Sequence, residues 1–222
     1  MQPLKWLFPK KLQFIFLFLL SYSSFFTSFA QSKNDPEAKK VLDAVSATFK
    51  LFKTVQANYT LKVQDRNGKQ QGIKTGMVYM KSDKYKIVDK TIQIFCNGKT
   101  IWRYDSEANE VTISLVDEDA QTITPQKLFT NFYDKDFLYK LNGIKNNIAE
   151  IEMTPIDKRK NFHKVYLYVN KKNNVIASAK VLETSGNTYL YSMSNMKTNK
   201  DIKDDAFVFD KKKYPNVEEI NN

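Results

Sequence analysis

The sequence predicts a mainly β protein: about eleven antiparallel strands that close into a barrel or curl around a filling, with two helices as filling or lid. Three observations carry that prediction. Apolar and polar residues alternate with period two through most of the chain from Val55 to Lys197. Turn-forming pairs punctuate the alternation, Asn97-Gly98 above all. Two stretches, after Asp35 and after Thr124, change to helical spacing.

In the first helix Asp35 suits the N-cap, Pro36 the first helical position and Glu37 the positive end of the dipole. Ala38, Val41, Leu42, Val45, Phe49 and Phe52 then share one stripe, with Lys39, Lys40 and Lys50 off it. The first strand alternates Val55, Ala57, Tyr59, Leu61 and Val63 with polar residues, and Asp65–Gly68 turns the chain. Strands follow at Gly76–Lys81, Lys84–Val88 and Thr91–Cys96. Asn97-Gly98 joins the last of these to Thr100–Tyr104, and Val111, Ile113 and Leu115 mark the next. Thr124-Pro125 opens the second helix, in which Leu128, Phe129, Phe132 and Tyr133 recur at helical spacing. Strands resume at Lys135–Leu141, Ile148–Thr154, Lys164–Val169, Val175–Leu182 and Thr188–Lys197. Asn146-Asn147, Asn173-Asn174 and Gly186-Asn187 separate them, and the tail carries Phe207 and Phe209.

Residues 1–30 read as a cleaved secretory signal. Lys5, Lys10 and Lys11 precede an apolar run that ends at Leu20, and Ser28-Phe29-Ala30 places small residues at the −3 and −1 positions. The uninterrupted part, Phe14 to Leu20, is well short of the ~20 apolar residues of a spanning helix. Cutting before Gln31 leaves residues 31–222, a single domain of 192 residues with room for one sizeable core. Gln31 is not the cysteine that a lipid-anchored protein carries there, so the expected product is exported and soluble. The precursor is formally +11; the signal holds three lysines and no acid, leaving about +8 on the mature chain. Lysines occur in nearly every segment, which describes a solvated basic surface or one that meets an acidic partner or an anionic membrane. An exported chain without a recognition motif has no expected nucleic-acid partner.

Side chains for catalysis are scarce. A single cysteine, Cys96, excludes an internal disulfide, and its alternation with Ile92 and Ile94 makes it a small buried strand residue. His163, the only histidine, stands among polar residues as a surface side chain. One His and one Cys do not make a zinc or haem site, and no Gly-rich phosphate loop or G-x-S-x-G elbow occurs. Asp117, Glu118 and Asp119 read as a charged loop, and Asn58-Tyr59-Thr60 fits a glycosylation triplet inside a strand. The expectation is therefore no catalytic residue, no metal and no cofactor, and a binding protein for an apolar or amphiphilic ligand. A secreted hydrolase using a carboxylate pair is the alternative of a different class.

Asn97-Gly98-Lys99-Thr100-Ile101-Trp102-Arg103-Tyr104-Asp105 resembles a hairpin of the LolA family of periplasmic outer-membrane lipoprotein carriers, which has a D/N-G-K-T-hydrophobic-W-x-Y segment. The amphipathic helix after the signal, the strand Val55–Val63 and the Gly76-to-Lys81 strand also resemble the family. So do the Pro125 helix, Met153-Thr154-Pro155 and Asp205-x-Phe207-x-Phe209, in the same order along the chain. The resemblance implies an open, incomplete eleven-stranded antiparallel barrel under a helical lid. It implies a monomeric carrier without enzymatic activity, holding the acyl chains of lipoproteins between barrel and lid. Its implied partners are acylated lipoproteins, an inner-membrane ABC lipoprotein-releasing transporter and an outer-membrane acceptor. A lipid or lipoprotein sensor on the same fold is the alternative among binding proteins. Many family sequences carry Lys-Arg-Pro after the second strand, where the arginine latches the lid; this chain has Lys81-Ser82-Asp83-Lys84, so that latch does not carry over.

If the more apolar face of each strand points inward, the cavity is lined by Tyr59, Leu61, Ile92, Ile94, Val111, Ile113 and Ile151. Val41, Val45 and Phe49 of the first helix and Leu128 and Phe132 of the second complete it. Ile101 and Trp102 compete for the inside, and the family resemblance favours Trp102.

Overall fold

The computed structural model describes residues 34–116 and 133–221. The expected signal, the acidic triplet 117–119 and the helix from Thr124, with Leu128 and Phe132, lie outside the described residues.

The chain opens on α1 (Pro36–Lys50). Asp35 caps it as expected, its Oδ1 accepting the Glu37 N–H at 2.9 Å. Strands β1 (Val55–Gln64), β2 (Gln70–Lys81), β3 (Lys84–Val88), β4 (Ile92–Cys96), β5 (Thr100–Asp105) and β6 (Glu110–Leu115) follow. A single helical turn, α2 (Tyr133–Asp136), leads into β7 (Phe137–Lys145), β8 (Ile148–Pro155), β9 (Phe162–Asn170), β10 (Val175–Glu183) and β11 (Thr188–Thr198). Two 3₁₀ turns, Asp204–Phe207 and Lys211–Lys213, precede β12 (Glu218–Asn221).

These twelve strands form one open sheet in the order β12-β6-β5-β4-β3-β2-β1-β11-β10-β9-β8-β7. All neighbours are antiparallel except β12, which pairs with β6 in parallel. This twelfth strand was not expected: Glu218–Asn221 is exposed at every position and has no alternation to reveal it. Strand β2 starts six residues ahead of Gly76, because polar Gln70–Thr75 complete the long ladder with β1. Local turn chemistry held where it was read. Gly98 takes φ +93° in the β4–β5 hairpin, and Asn97 Oδ1 accepts the Lys99 and Thr100 N–H groups at 2.9 and 2.8 Å. Asn146 and Asn147, both at positive φ, turn β7 into β8.

Both faces of the sheet carry apolar residues. Paired residues of antiparallel strands point the same way, so the register assigns the faces. One row runs Ala57, Val78, Ile87, Ile94, Arg103, Thr112; a second runs Val55, Met80, Tyr85, Cys96, Ile101. This inner face holds the main apolar cluster, joined by Ala38, Val41, Leu42 and Val45 of α1. The outer face carries Phe95, Trp102, Tyr104, Val111 and Ile113 on β4–β6, and the C-terminal tail folds over it. Phe209 and Tyr214 stack at 4.5 Å and pack against Tyr104 at 5.9 and 4.4 Å.

Candidate functional site

The packing of the inner face changes along the sheet. Beneath α1, Ala149, Ile151, Met153, Val165, Leu167 and Val169 have no exposed surface at all. Along β1, Val55 and Ala57 are buried, but Tyr59, Leu61 and Val63 are only half-buried. Ile87, Ile94, Ile101, Tyr189, Tyr191 and Met193 are likewise partly covered members of the same cluster. A filled core and an incompletely covered apolar surface thus share one face. The second is the candidate site.

Two phenols give it polar points without charge. Burial and the neighbouring Asp89 carboxylate push Tyr59 up to about 12, and its Oη donates to Asp89 Oδ2 at 3.4 Å. Burial pushes Tyr191 up to about 12 as well. At the β5 end Arg103 succeeds Ile94 in the register row, with Asp105 Oδ2 3.8 Å from its Nη2. Here the apolar surface ends.

The expected lining residues divide into three groups. Tyr59, Leu61, Ile92 and Ile94 stand on the inner face of β1 and β4, with Phe49 of α1 packed on the same cluster. Val41 and Val45, on the buried side of α1, and Ile151, beneath it, belong to the filled core. Trp102, Val111 and Ile113 depart from the expectation: they face outward, beneath the tail. The register decides it, since Cys96 pairs with Ile101 and so brings Ile101 inside. The greasier face of β5–β6 is covered by Phe209, Tyr214 and Val217, a cover that strand alternation cannot foresee. Tyr189, Tyr191 and Met193 were missed although their alternation in the last long strand was visible.

Cys96 is buried, and burial pushes its thiol up, away from nucleophilic character. His163 is exposed. Among the described residues no group of three or more His, Cys, Asp and Glu side chains could hold a metal ion. No helix among them is long and apolar enough to cross a membrane.

A family model described as outer membrane lipoprotein carrier protein LolA matches residues 50–210. The chain belongs to the LolA family. An outer-membrane lipoprotein carrier protein of Haemophilus influenzae is 28% identical over 208 residues, 94% of this chain and 96% of the relative. One from Actinobacillus succinogenes is 28% identical over 157 residues, 69% and 73% of the two chains. The crystal structure of an uncharacterized conserved protein from Thermus thermophilus has a TM-score of 0.53 at 15% identity, over 84% of this chain and 99% of that one. The Lys81–Lys84 turn joins β2 and β3. Ser82 takes φ +54°, and Lys81 and Lys84 both reach Asp204, at 2.7 and 2.5 Å. Lys81 also donates to the Ile202 carbonyl at 3.0 Å. These lysines fasten the C-terminal tail to the β2–β3 turn.

Proposed function

We propose that this LolA-family protein is a non-catalytic periplasmic carrier that shields the acyl chains of lipoproteins against the half-covered inner face. It takes them from an inner-membrane ABC transporter and delivers them to an outer-membrane acceptor. The observation that carries this reading is the transition on one face from residues with no exposure to half-buried Tyr59, Leu61, Ile94 and Tyr191. An acyl chain in water costs about 0.8 kcal/mol per methylene, so cargo needs such a surface for the crossing. A carrier must also release, and an apolar face without strong polar anchors holds by area alone. The names of the relatives and the family description support lipoproteins as the cargo. We place the signal cut between Ala30 and Gln31, with residues 31–222 as the mature domain.

The test combines cargo and binding. Mass spectrometry of protein purified from the periplasm should find acylated polypeptide with it, on a chain whose mass begins at Gln31. Ile94→Ala and Tyr191→Ala should weaken binding of a fluorescent acyl probe while barely moving the melting temperature. Ile151→Ala, in the filled core, should instead cost ~2–5 kcal/mol of stability. If Ile94→Ala and Tyr191→Ala are as destabilising as Ile151→Ala and neither weakens binding selectively, the face is an ordinary core and the carrier reading fails.

A further inference from the structure

Three loops meet at one end of the sheet. The β1–β2 turn touches the β10–β11 turn, where Arg66 Nη2 donates to the Ser185 carbonyl at 3.4 Å. The β10–β11 turn touches the β8–β9 loop, where Thr184 donates both its N–H and its Oγ1 to the Asn161 carbonyl at 3.0 Å. The loops are therefore one continuous lip. It carries Arg66, Lys69, Lys158, Arg159 and Lys160 against three acids, Asp65, Asp157 and Glu183, the last accepting from Ser185 Oγ at 2.8 Å within the β10–β11 turn. Each acid has a partner on its own loop. Asp65 accepts the Asn67 and Lys69 N–H groups and the Gln71 amide, and Asp157 binds Arg159. Basic side chains outnumber the acids on this lip.

Two apolar side chains stand beside this charge. Ile156, in the β8–β9 loop itself, is 51% exposed, and so is Ile73, which stands opposite Lys62 on the outer face of β2. The half-buried inner face reaches the same end: the pairs Leu61–Tyr191 and Val63–Tyr189 run directly into the first two loops. Exposed aliphatic residues interleaved with Lys and Arg are the composition of a surface that settles on anionic headgroups.

We propose that this three-loop lip docks the protein on anionic phospholipid surfaces, holding the mouth of the apolar face against the bilayer. The occupant is a membrane because the lip joins positive charge to protruding aliphatic side chains, a pairing that anionic headgroups and the acyl boundary beneath them take up together. The lip's function in delivery rests on the carrier reading, but its binding to lipid does not. Docking can therefore be measured without cargo.

The experiment is flotation of the mature protein with phosphatidylcholine vesicles, with and without phosphatidylglycerol at roughly a third of the lipid. Binding should require phosphatidylglycerol and weaken as salt is raised. Arg66→Gln, Lys69→Gln and Lys158→Gln combined should lower affinity by about a hundredfold, at about fivefold per charge near the surface. The control neutralises three lysines at the opposite end of the sheet, Lys99→Gln, Lys145→Gln and Lys172→Gln, and should change affinity little. Circular dichroism of both triple variants confirms that each is folded. No binding to anionic vesicles overturns the proposal and leaves the lip for an acidic protein. Equal binding to neutral vesicles, or equal losses in both triple variants, overturns it too. Acyl-probe binding by the lip variant should stay unchanged, which separates a failure of docking from a failure of the carrier reading.

Discussion

The Tyr59 ring lies across Gly76 in the β1–β2 ladder, in space that a side chain at position 76 would need. A Cβ on Gly76 would stand 2.8 Å from Tyr59 Cε1 and 2.0 Å from the Val88 carbonyl oxygen. The glycine that opens the strand motif is there for close approach, since its φ is not in the left-handed region.

Gly76→Ala should therefore destabilise by roughly 1–3 kcal/mol, the usual cost of forcing atoms into packed space, read from urea unfolding. Adding Tyr59→Ala should restore only part of that loss. It removes the ring but leaves the Val88 carbonyl, which is backbone. Full recovery would show that the ring alone sets the constraint.

The two apolar faces should respond differently to substitution. Trp102→Ala and Val111→Ala, beneath the tail, should lower stability by ~2–5 kcal/mol for the large side chain and less for valine. Neither should change the affinity for a fluorescent acyl probe under conditions where the variant is folded. A selective binding defect at Trp102 would move the ligand to the outer face.

Alkaline pH offers a second view of the inner face. Tyr59 and Tyr191 are held neutral to about 12, in the first case by burial and Asp89, in the second chiefly by burial. A tyrosine in the unfolded chain ionises near 10. Above that pH the unfolded state loses its protons first, so the stabilisation is complete below about 10 and is lost as pH rises to about 12. The fall in unfolding free energy across that window should be shallower in a Tyr59→Phe, Tyr191→Phe variant. Absorbance titration should show two fewer late-ionising phenols.

Some of this architecture was legible residue by residue. The Asp35-Pro36-Glu37 cap, the Asn97-Gly98 turn and the burial of Cys96 each rest on interactions within a few residues, and each was read correctly. Alternation also separated the two faces of each strand. It did not say which face met the helix: Ile101 and Trp102 were both plausible, and the pairing of Ile101 with Cys96 settled them. Val45 and Ile94 were both read as cavity lining, yet Val45 is sealed on the buried side of α1 and Ile94 is half-covered. Strand β12 was invisible because its only distinguishing feature is its place beside β6.

By itself the sequence determined the first helix with its cap, the order of strands β1 to β11 with their hairpin turns, the poverty of catalytic side chains and the resemblance to the LolA family. Those depend on local chemistry or on residue types in order. Tertiary structure alone decided that a C-terminal tail fastened through Lys81, Lys84 and Asp204 covers the outer face of β4–β6. It also decided that the inner face passes from a filled core to a half-covered surface ending at a basic lip. Alternation marks which side chains share a face, whereas cover comes from segments distant in sequence, whose positions no local pattern encodes.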